Sequence, residues 1–389
     1  MGAIVVDGYS EGWLRKGFPW VYPKEVTRGR LVPGEQVTLR SAGGEELGRG
    51  VADDGFVAVR RFRADDGPLD AAWLSGVLDR ALALRRVVVD PNTDAYRLCN
   101  GECDGLPGIR IDWWRAFAVI VLDSPSLRPL VPLVVEWLEA RMEPRGIVLA
   151  RRRDPRDRDR PDAPTELVSG HAPRGPVRVR ERGLEFDVAP LEAPDVGLYP
   201  DMREVRAWLE PHWGGARVLN TFAYTGAFSV AAAKYGASEV VTVDLARPVL
   251  DRAEVNFAAN GLHEFPHEVW AEDTFKALDR LRRTGRRFDR VILDPPSYSR
   301  GVEVFSASKD YPRLVAAAAR VTEPDGWIVA ASNLGELSPK VFDGLILDGL
   351  RKAGRDAQVI HLGGQAADHP AATWFPEGRY LKVRVLRLS

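Results

Sequence analysis

The order of strand-like and helix-like segments in the carboxyl-terminal half of this chain limits its fold more than any other feature. Short apolar runs with the length and composition of buried strands lie at 217–220, 239–244, 290–294 and 327–331. Stretches with helical spacing of their apolar residues lie at 227–234, 246–260 and 314–321. Because strands that alternate with helices form parallel sheets covered on both faces, this half predicts a doubly wound α/β domain.

The rest of the chain predicts two smaller domains. Residues 1–65 are β-rich, with strand patterns at 36–39 and 55–60 and a glycine turn between them. Residues 66–184 contain a helical pattern at 68–87, a turn-rich stretch at 97–108 and a second helix at 130–142. We therefore expect a small β-rich domain at 1–65, a central α/β domain at 66–184 and the doubly wound domain at 185–389.

Composition excludes several classes of protein. Of the 389 residues, 45% are hydrophobic and 28% are charged, which is typical of a globular chain. Two cysteines, Cys99 and Cys103, cannot build a disulfide framework, and their C-x3-C spacing favours reduced thiols and no metal site. No apolar stretch reaches the ~20 residues of a membrane span, and the first residues do not form a signal peptide. We expect a cytoplasmic protein with no membrane partner.

Two segments have features of RNA-binding surfaces, which must be local because the net charge is only -1. Trp20 lies among other aromatic residues and close to Arg15 and Lys16, so this group could stack on bases and contact phosphates. The alternative is that the aromatic rings form the core of a small barrel. Residues 151–162 alternate arginine with aspartate and predict a solvated loop, with phosphate contact as the alternative.

Polar residues follow the first strands of the doubly wound half, where such sheets bind ligands. The first strand leads into Asn220-Thr221-Phe222-Ala223-Tyr224-Thr225-Gly226, a turn that differs from the G-x-G-x-x-G of dinucleotide sites. The second strand ends at Asp244, which would accept the ribose hydroxyls of an adenosine group. Asp273, in the sequence Ala271-Glu272-Asp273-Thr274, would accept the adenine amino group.

The next strand ends in Asp294-Pro295-Pro296-Ser297-Tyr298. Two consecutive prolines fix φ and stiffen the chain beside the expected ligand. We predict that this stiffened segment lies beside the reacting part of the ligand. The alternative is a rigid turn without chemistry.

These motifs, taken in order, resemble one family. They are similar to those of the RlmI-like family of large-subunit ribosomal RNA methyltransferases. In the doubly wound half the matching segments are 218–230, 243–245, 256 with 260–262, and 293–297. Further matches are Gly197-Leu198-Tyr199-Pro200-Asp201-Met202-Arg203 and the segments 96–108, 365–370 and 375–382. Residues 18–22 resemble the start of that family's PUA domain, so the resemblance covers nearly the whole chain.

The resemblance implies a PUA domain, a central α/β domain and a Rossmann-like methyltransferase domain. It also implies S-adenosylmethionine as cofactor, large-subunit ribosomal RNA or its assembly intermediate as partner, cytosine C5 as target, and a homodimer. Together with the strand-end chemistry, it predicts catalytic residues Asp294, Pro295, Pro296 and Tyr298. The predicted cofactor-binding residues are Asp201, Arg203, Asn220, Phe222, Ala223, Tyr224, Thr225, Gly226, Asp244, Leu245, Asp273, Thr274 and Asp294.

The chain departs from the family pattern at the residue that C5 chemistry needs. Cytosine C5 becomes nucleophilic only after a cysteine thiolate adds to C6. Where the family has its cysteine run, this chain has Ser332-Asn333, which is similar to a related guanine-N7 methyltransferase module. In the loop before Arg203, Met202 replaces the expected glutamine, and Asp195-Val196 replaces a Lys-Thr-like pair.

Three interpretations follow from the missing cysteine. The chain methylates C5 by another route, methylates a nitrogen such as guanine N7 directly, or is a non-catalytic RNA- or ribosome-binding paralogue that retains S-adenosylmethionine. For a nitrogen target, Asp294 would accept an N–H of the base and Tyr298 would stack on it. The complete set of Asp244, Asp273 and Asp294-Pro295-Pro296 favours an enzyme. A small-molecule or protein substrate is disfavoured by the PUA-like amino terminus.

Overall fold

The computed structural model describes residues 2–151, 165–296 and 306–389, without the side chains of residues 307 and 308. The chain forms two compact units. The first contains residues 1–182, 188–196 and 367–378, and the second contains residues 183–187, 197–366 and 379–389. The predicted arrangement of three domains stays a prediction.

The first sheet of the first unit confirms the β-rich amino terminus. Its six strands are arranged in the order β2-β6-β5-β4-β1-β3. Asp7 begins the single helix of this region by accepting the N–H of Ser10 at 2.8 Å, and Leu14 of that helix packs into the core. The elements are β1 (Gly2–Val6), α1 (Gly8–Arg15), β2 (Trp20–Val21), β3 (Val26–Arg28), β4 (Gln36–Arg40), β5 (Glu46–Ala52) and β6 (Val59–Arg63).

The second sheet of the first unit has the order β11-β10-β9-β8-β7, and its apolar residues pack with those of two helices. Both helices match the predicted ones closely. The elements are α2 (Ala71–Val88), β7 (Ala95–Asn100), β8 (Ile109–Trp114), β9 (Phe117–Leu122), α3 (Val131–Met142), β10 (Gly146–Arg151) and β11 (Glu166–Gly170). Two short strands follow along the chain, β12 (Val177–Glu181) and β13 (Leu184–Val188).

The second unit contains a seven-stranded sheet in the order β16-β15-β14-β17-β18-β20-β19. Its first elements are α4 (Arg203–Leu209), β14 (Arg217–Thr221), α5 (Ala227–Lys234), β15 (Glu239–Asp244), α6 (Arg247–Ala259), β16 (His267–Ala271) and α7 (Thr274–Thr284). Its later elements are β17 (Phe288–Leu293), α8 (Ala307–Val321), β18 (Thr322–Ser332), α9 (Pro339–Ala353), β19 (Ala357–Gly363) and β20 (Lys382–Leu388). This arrangement confirms the predicted Rossmann-like class.

One strand departs from the predicted parallel sheet. Strands β14 to β18 pair in parallel, but β20 lies antiparallel to both β18 and β19. A parallel neighbour requires a crossover segment, usually a helix. Between β19 and β20 the described chain has only the short 3-10 turn Pro376–Gly378. The final strand therefore runs in the opposite direction.

The direction of strand addition changes beside β14. Strands β15 and β16 follow on one side of β14, and β17 and β18 follow on the other. In open α/β sheets such a switch point leaves a crevice outside the carboxyl ends of the strands. An apolar cluster of this unit, with Val291 and Leu314 among its members, packs helices α7 to α9 against the sheet.

Candidate active site

A cavity of about 710 Å³ opens at the carboxyl ends of the strands, and all residues that line it belong to the second unit. It brings together most of the predicted site. The predicted residues that line it are Asp201, Asn220, Phe222, Ala223, Tyr224, Thr225, Asp244, Leu245, Asp273, Thr274, Asp294, Pro295 and Pro296.

The loop after β14 forms one wall and folds tightly. Phe222, Tyr224 and Gly226 all have positive φ, at 53°, 51° and 75°. Such backbone costs a side-chain-bearing residue of order 1–3 kcal/mol and tends to occur at functional sites. Gly226 does not line the cavity, because its Cα faces α6, where an added Cβ would lie 2.9 Å from the Cβ of Ala253. Glycine at position 226 therefore allows the loop after β14 to pack closely against α6.

Asp244 is held in place by the backbone at both of its carboxylate oxygens. Its Oδ2 accepts the N–H of Tyr224 at 2.9 Å, and its Oδ1 accepts the N–H of Ala246 at 3.1 Å. Leu245, the next residue, exposes 69% of its surface beside the cavity. The carboxylate therefore has a fixed orientation before any ligand binds, with lone pairs still available for hydroxyl donors.

The predicted adenine-contacting residue has a second, structural role. Asp273 begins α7 as its N-cap, and its Oδ1 accepts the N–H of Lys276 at 3.1 Å. Phe275 and Lys276 also line the cavity, which sequence reasoning missed although they directly follow the strand-end acid. Asp310 and Arg313 line it from α8, and no motif in the sequence marked them.

Asp294 lies half-buried on the cavity wall, directly after β17. Desolvation and, to a smaller extent, the negative charge of Asp201 raise the pKa of Asp294 to about 7 against the opposing positive charge of Arg206. A carboxyl group with this pKa is about half protonated at neutral pH. A positively charged ligand in the cavity would favour its ionised form.

The turn before α4 and α4 itself each bring one further charged group to the cavity. Asp201 accepts the hydroxyl hydrogen of Tyr380 at 2.8 Å. Arg206 lines the cavity, donates to the carbonyl of Tyr199 at 3.0 Å, and lies 5.4 Å from the ring of Phe228. Arg203, which the resemblance implied as a cofactor ligand, is 1% exposed and does not line the cavity.

The remaining catalytic predictions are described only in part. Pro295 and Pro296 line the cavity, whereas Tyr298 lies outside the described residues, as do residues 152–162 of the arginine-rich stretch. At the end of β18, Asn333 lines the cavity and Ser332 is 2% exposed. The hydroxyl oxygen of Ser332 accepts the N–H of Leu334 at 3.4 Å.

Both cysteines of the chain belong to the first unit. Cys99 is completely buried, and burial raises the pKa of its thiol far above the ordinary value. Burial also raises the pKa of Cys103, to about 11. Because the thiolate is the nucleophilic form, neither sulfur is activated at neutral pH.

The three predicted RNA-binding residues lie in the first unit. Trp20 is half-buried, donates its ring N–H to Glu102 at 2.9 Å, and packs edge-on against Phe375 with ring centres 4.9 Å apart. Arg15 is exposed and forms ion pairs with two glutamates of its own unit, whereas the Lys16 ammonium lies 5.0 Å from the ring of Trp13. Trp20 therefore contacts residues outside 1–65, and both the RNA-binding role of the three residues and the barrel-core alternative stay predictions.

Within the described ranges, no helix has the length and apolar character needed to cross a membrane.

Residues 138–374 match the model of the S-adenosylmethionine-dependent methyltransferase family, and residues 4–62 match that of a PUA-like domain. The chain is 32% identical to ribosomal RNA large subunit methyltransferase I of Aeromonas salmonicida over 98% of both chains. It is also 32% identical to a ribosomal RNA large subunit methyltransferase of Deinococcus radiodurans, over 99% of this chain and 97% of the relative.

The fold agrees with these matches. A methyltransferase crystallised in complex with SAH superimposes with a TM-score of 0.90 over 100% of both chains, at 24% identity. A second methyltransferase structure, from Streptococcus mutans, gives a TM-score of 0.87 over 100% of both chains, also at 24% identity. The family match assigns S-adenosylmethionine as the cofactor. The chain therefore belongs to the S-adenosylmethionine-dependent methyltransferases, in the family that contains these ribosomal RNA large subunit methyltransferases.

Proposed function

We propose that this chain methylates a nitrogen atom of a base in large-subunit ribosomal RNA, with guanine N7 or an exocyclic amine as the target. The printed names of the relatives support the RNA class, because both name the large ribosomal subunit. Cytosine C5, which the resemblance implied, is the competing target. The choice between them depends on the groups that the site offers for catalysis.

The cavity fits S-adenosylmethionine chemically. Its two strand-end carboxylates, Asp244 and Asp273, are acceptors suited to the hydroxyl groups of a ribose and the amino group of an adenine. Asp294 is half-buried, the negative charge of Asp201 contributes to its raised pKa, and Arg206 is the opposing cation. This excess of carboxyl groups favours a cationic ligand such as a sulfonium.

The choice of a nitrogen target over cytosine C5 rests on the absence of a thiolate from the described lining of the cavity. No cysteine occurs among the lining residues, and both thiols of the chain lie in the other unit with raised pKa values. When bound, S-adenosylmethionine supplies an electrophilic methyl group that a nitrogen lone pair can attack directly, whereas cytosine C5 first needs a nucleophile at C6. The observed residues therefore suit a nitrogen target better.

For a nitrogen target, the residues of this site would act by positioning and charge. Asp294 would accept an N–H of the base, which fixes the base beside the cofactor. Pro295 and Pro296 hold the chain rigid at this point because their rings fix φ. Asn333 offers both a donor and an acceptor on the cavity wall.

Tritium release distinguishes the two targets. Large-subunit ribosomal RNA carrying tritium at C5 of its cytosines, naked or in assembly intermediates, is incubated with the protein and S-adenosylmethionine carrying a carbon-14 methyl group. Methylation at C5 must expel the C5 hydrogen, whereas methylation at nitrogen leaves it in place. We expect carbon-14 in the RNA with no tritium released to water. Equal release of tritium would establish C5 as the target, and no carbon-14 uptake by a protein that still binds cofactor would favour the non-catalytic alternative.

A further inference from the structure

Five arginines surround a second cavity in the second unit, well separated along the strands from the active site. It has a volume of about 310 Å³ and is lined by the side chains of Arg282, Arg286, Arg287, Arg320 and Arg355, together with Gly285, Ala319 and Ala353. None of these residues lines the active-site cavity. Nothing in the proposed chemistry uses them.

The fold explains why these arginines converge. Helices α7, α8 and α9 end at Thr284, Val321 and Ala353, and β17, β18 and β19 begin within a few residues of those ends. The cavity therefore lies at the amino-terminal edge of the sheet, whereas the active site lies at the carboxyl-terminal edge. Strands of about six residues separate the two edges by roughly 20 Å.

Three of the five arginines are occupied by contacts within the unit. Arg355 donates to the backbone carbonyls of Ala319 at 3.2 Å and Glu323 at 3.3 Å, so it satisfies groups near the end of α8. Arg286 forms an ion pair with Glu268 at 2.8 Å, and Arg282 forms one with Asp279 at 2.8 Å. These contacts fix the cavity walls and account for part of the positive charge.

Arg287 and Arg320 supply positive charge beyond those contacts. Both side chains are exposed, and neither forms an ion pair within the part of the chain that the structure describes. Arg320 donates one N–H to the carbonyl of Lys352 at 3.0 Å, which leaves other guanidinium hydrogens to face the opening. Two guanidinium groups without a carboxylate partner, on the wall of a concave site, favour an anionic ligand.

We propose that this arginine cavity binds a phosphate group of the RNA backbone and is a docking site for the ribosomal RNA that the active site methylates. This inference rests on the proposed function. The planar guanidinium fork matches a phosphate through two parallel hydrogen bonds. A chain with a net charge of -1 needs such local positive sites to hold RNA. An RNA segment bound at both edges would have to extend across the sheet.

The test compares Arg287→Gln and the double variant Arg287→Gln/Arg320→Gln with a matched control, Arg283→Gln. Arg283 is an exposed arginine in the last turn of α7, and its replacement removes one positive charge, as Arg287→Gln does. Arg283 pairs with Asp279 and does not line the cavity. Filter binding of labelled large-subunit ribosomal RNA is measured from about 50 to 300 mM salt. We expect the double variant to bind roughly three- to tenfold more weakly, with a salt slope smaller by about one per lost phosphate contact. The value of kcat at saturating RNA should not change.

Two results would overturn the inference. The first is RNA affinity and salt slope in the double variant equal to those of Arg283→Gln. The second is a double variant that no longer binds inorganic phosphate by calorimetry, although the wild type does, and that still binds RNA as tightly as the wild type. The cavity would then be a site for a small anion. Failure of the proposed function is distinguishable, because it appears as absence of methyl transfer to RNA by the wild-type protein, whatever the variants bind.

Discussion

At the scale of single residues, the protonation state of Asp294 bears on cofactor binding in this methyltransferase. It is half-buried, its pKa is raised to about 7, and the nearby charges of Asp201 and Arg206 act on that pKa in opposite directions. A cationic cofactor would act as an additional positive charge and lower that pKa. Cofactor affinity and protonation of Asp294 are therefore linked.

The first prediction concerns the pH dependence of that affinity. Below pH 7 the empty site holds a protonated Asp294, and the sulfonium must displace that proton, so affinity for S-adenosylmethionine should rise as the pH rises from about 6 to 8. We expect an increase of roughly three- to tenfold, with proton release on binding. Calorimetry in two buffers of different ionisation enthalpy measures both quantities. S-adenosylhomocysteine, which lacks the positive charge, should show a weaker dependence, and Asp294→Asn should show little; a flat profile for the wild type would contradict this account.

The second prediction concerns Asp244. Replacement by alanine removes the acceptor proposed for the ribose and also the acceptor of the Tyr224 and Ala246 N–H groups. The loss of hydrogen bonds to a charged group should cost roughly 1.5–3 kcal/mol, or at least tenfold in cofactor affinity. Calorimetric titration of the Asp244→Ala variant checks this, and unchanged affinity would remove Asp244 from the site.

Sequence reasoning located these acids because each follows a strand whose apolar pattern is clear. It could not foresee Arg206, since a cation one helical turn beyond a motif has no signal of its own. It also could not foresee the positive φ of Phe222 and Tyr224, because positive φ is expected at glycine and neither residue is a glycine. The exposed or buried state of Arg203 likewise depends on the tertiary packing of α4.

At the scale of elements, Asn256 of α6 and Asn260, which caps the end of that helix, both bind a neighbouring segment of the chain. The Oδ1 of Asn256 accepts the N–H of Asp187 at 2.9 Å, and its amide donates to the carbonyl of Thr225, also at 2.9 Å. Asn260, one turn later, pairs with both backbone groups of Glu185, at 2.9 and 2.7 Å. Both side chains hold the segment, but within these contacts only Asn256 also holds the loop that lines the active site.

This difference gives the third prediction. Asn256→Ala and Asn260→Ala should both lower the free energy of unfolding by roughly 1–3 kcal/mol, because each leaves buried backbone groups unpaired. Only Asn256→Ala should also weaken cofactor binding, since it frees the carbonyl of Thr225. Denaturant titration and calorimetry measure the two effects. Equal losses of affinity in both variants would show that Asn256 acts through stability alone.

The sequence predicted most of these elements but not their partners. Helix α6 was expected at 246–260 and forms at Arg247–Ala259, because its apolar spacing is regular. The antiparallel strand β20 was not expected. A final strand after an irregular connection has no periodic signal that gives its direction.

At the scale of the whole molecule, the first unit joins the amino-terminal sheet to the second sheet through buried charges. Arg60 lies 3.3 Å from both Asp53 and Glu102, and Ser124 donates to Asp53 at 2.6 Å. The sequence pattern predicts two domains in the region 1–184, but it could not show that buried ion pairs connect them. Point substitutions on its surface therefore test RNA recognition better than removal of the amino-terminal segment.

The fourth prediction concerns the two cysteines of this unit. Cys99→Ala/Cys103→Ala should leave methyl transfer to ribosomal RNA within about twofold of the wild type, because neither thiol is activated. Loss of a buried sulfur should lower stability by roughly 1 kcal/mol. Single-turnover rates with labelled cofactor, with circular dichroism as the control for folding, test this. Loss of transfer in a folded variant would restore a covalent mechanism.

The identity of the methylated nucleoside tests the central claim most directly. Large-subunit ribosomal RNA, naked and in assembly intermediates, is incubated with the protein and isotopically labelled S-adenosylmethionine, digested to nucleosides and analysed by mass spectrometry. A label in an N-methylated nucleoside, such as 7-methylguanosine, is the result that a thiolate-free site predicts. A label in 5-methylcytidine would contradict it, because methylation at C5 would require a nucleophile at C6 that the described lining of the cavity does not contain.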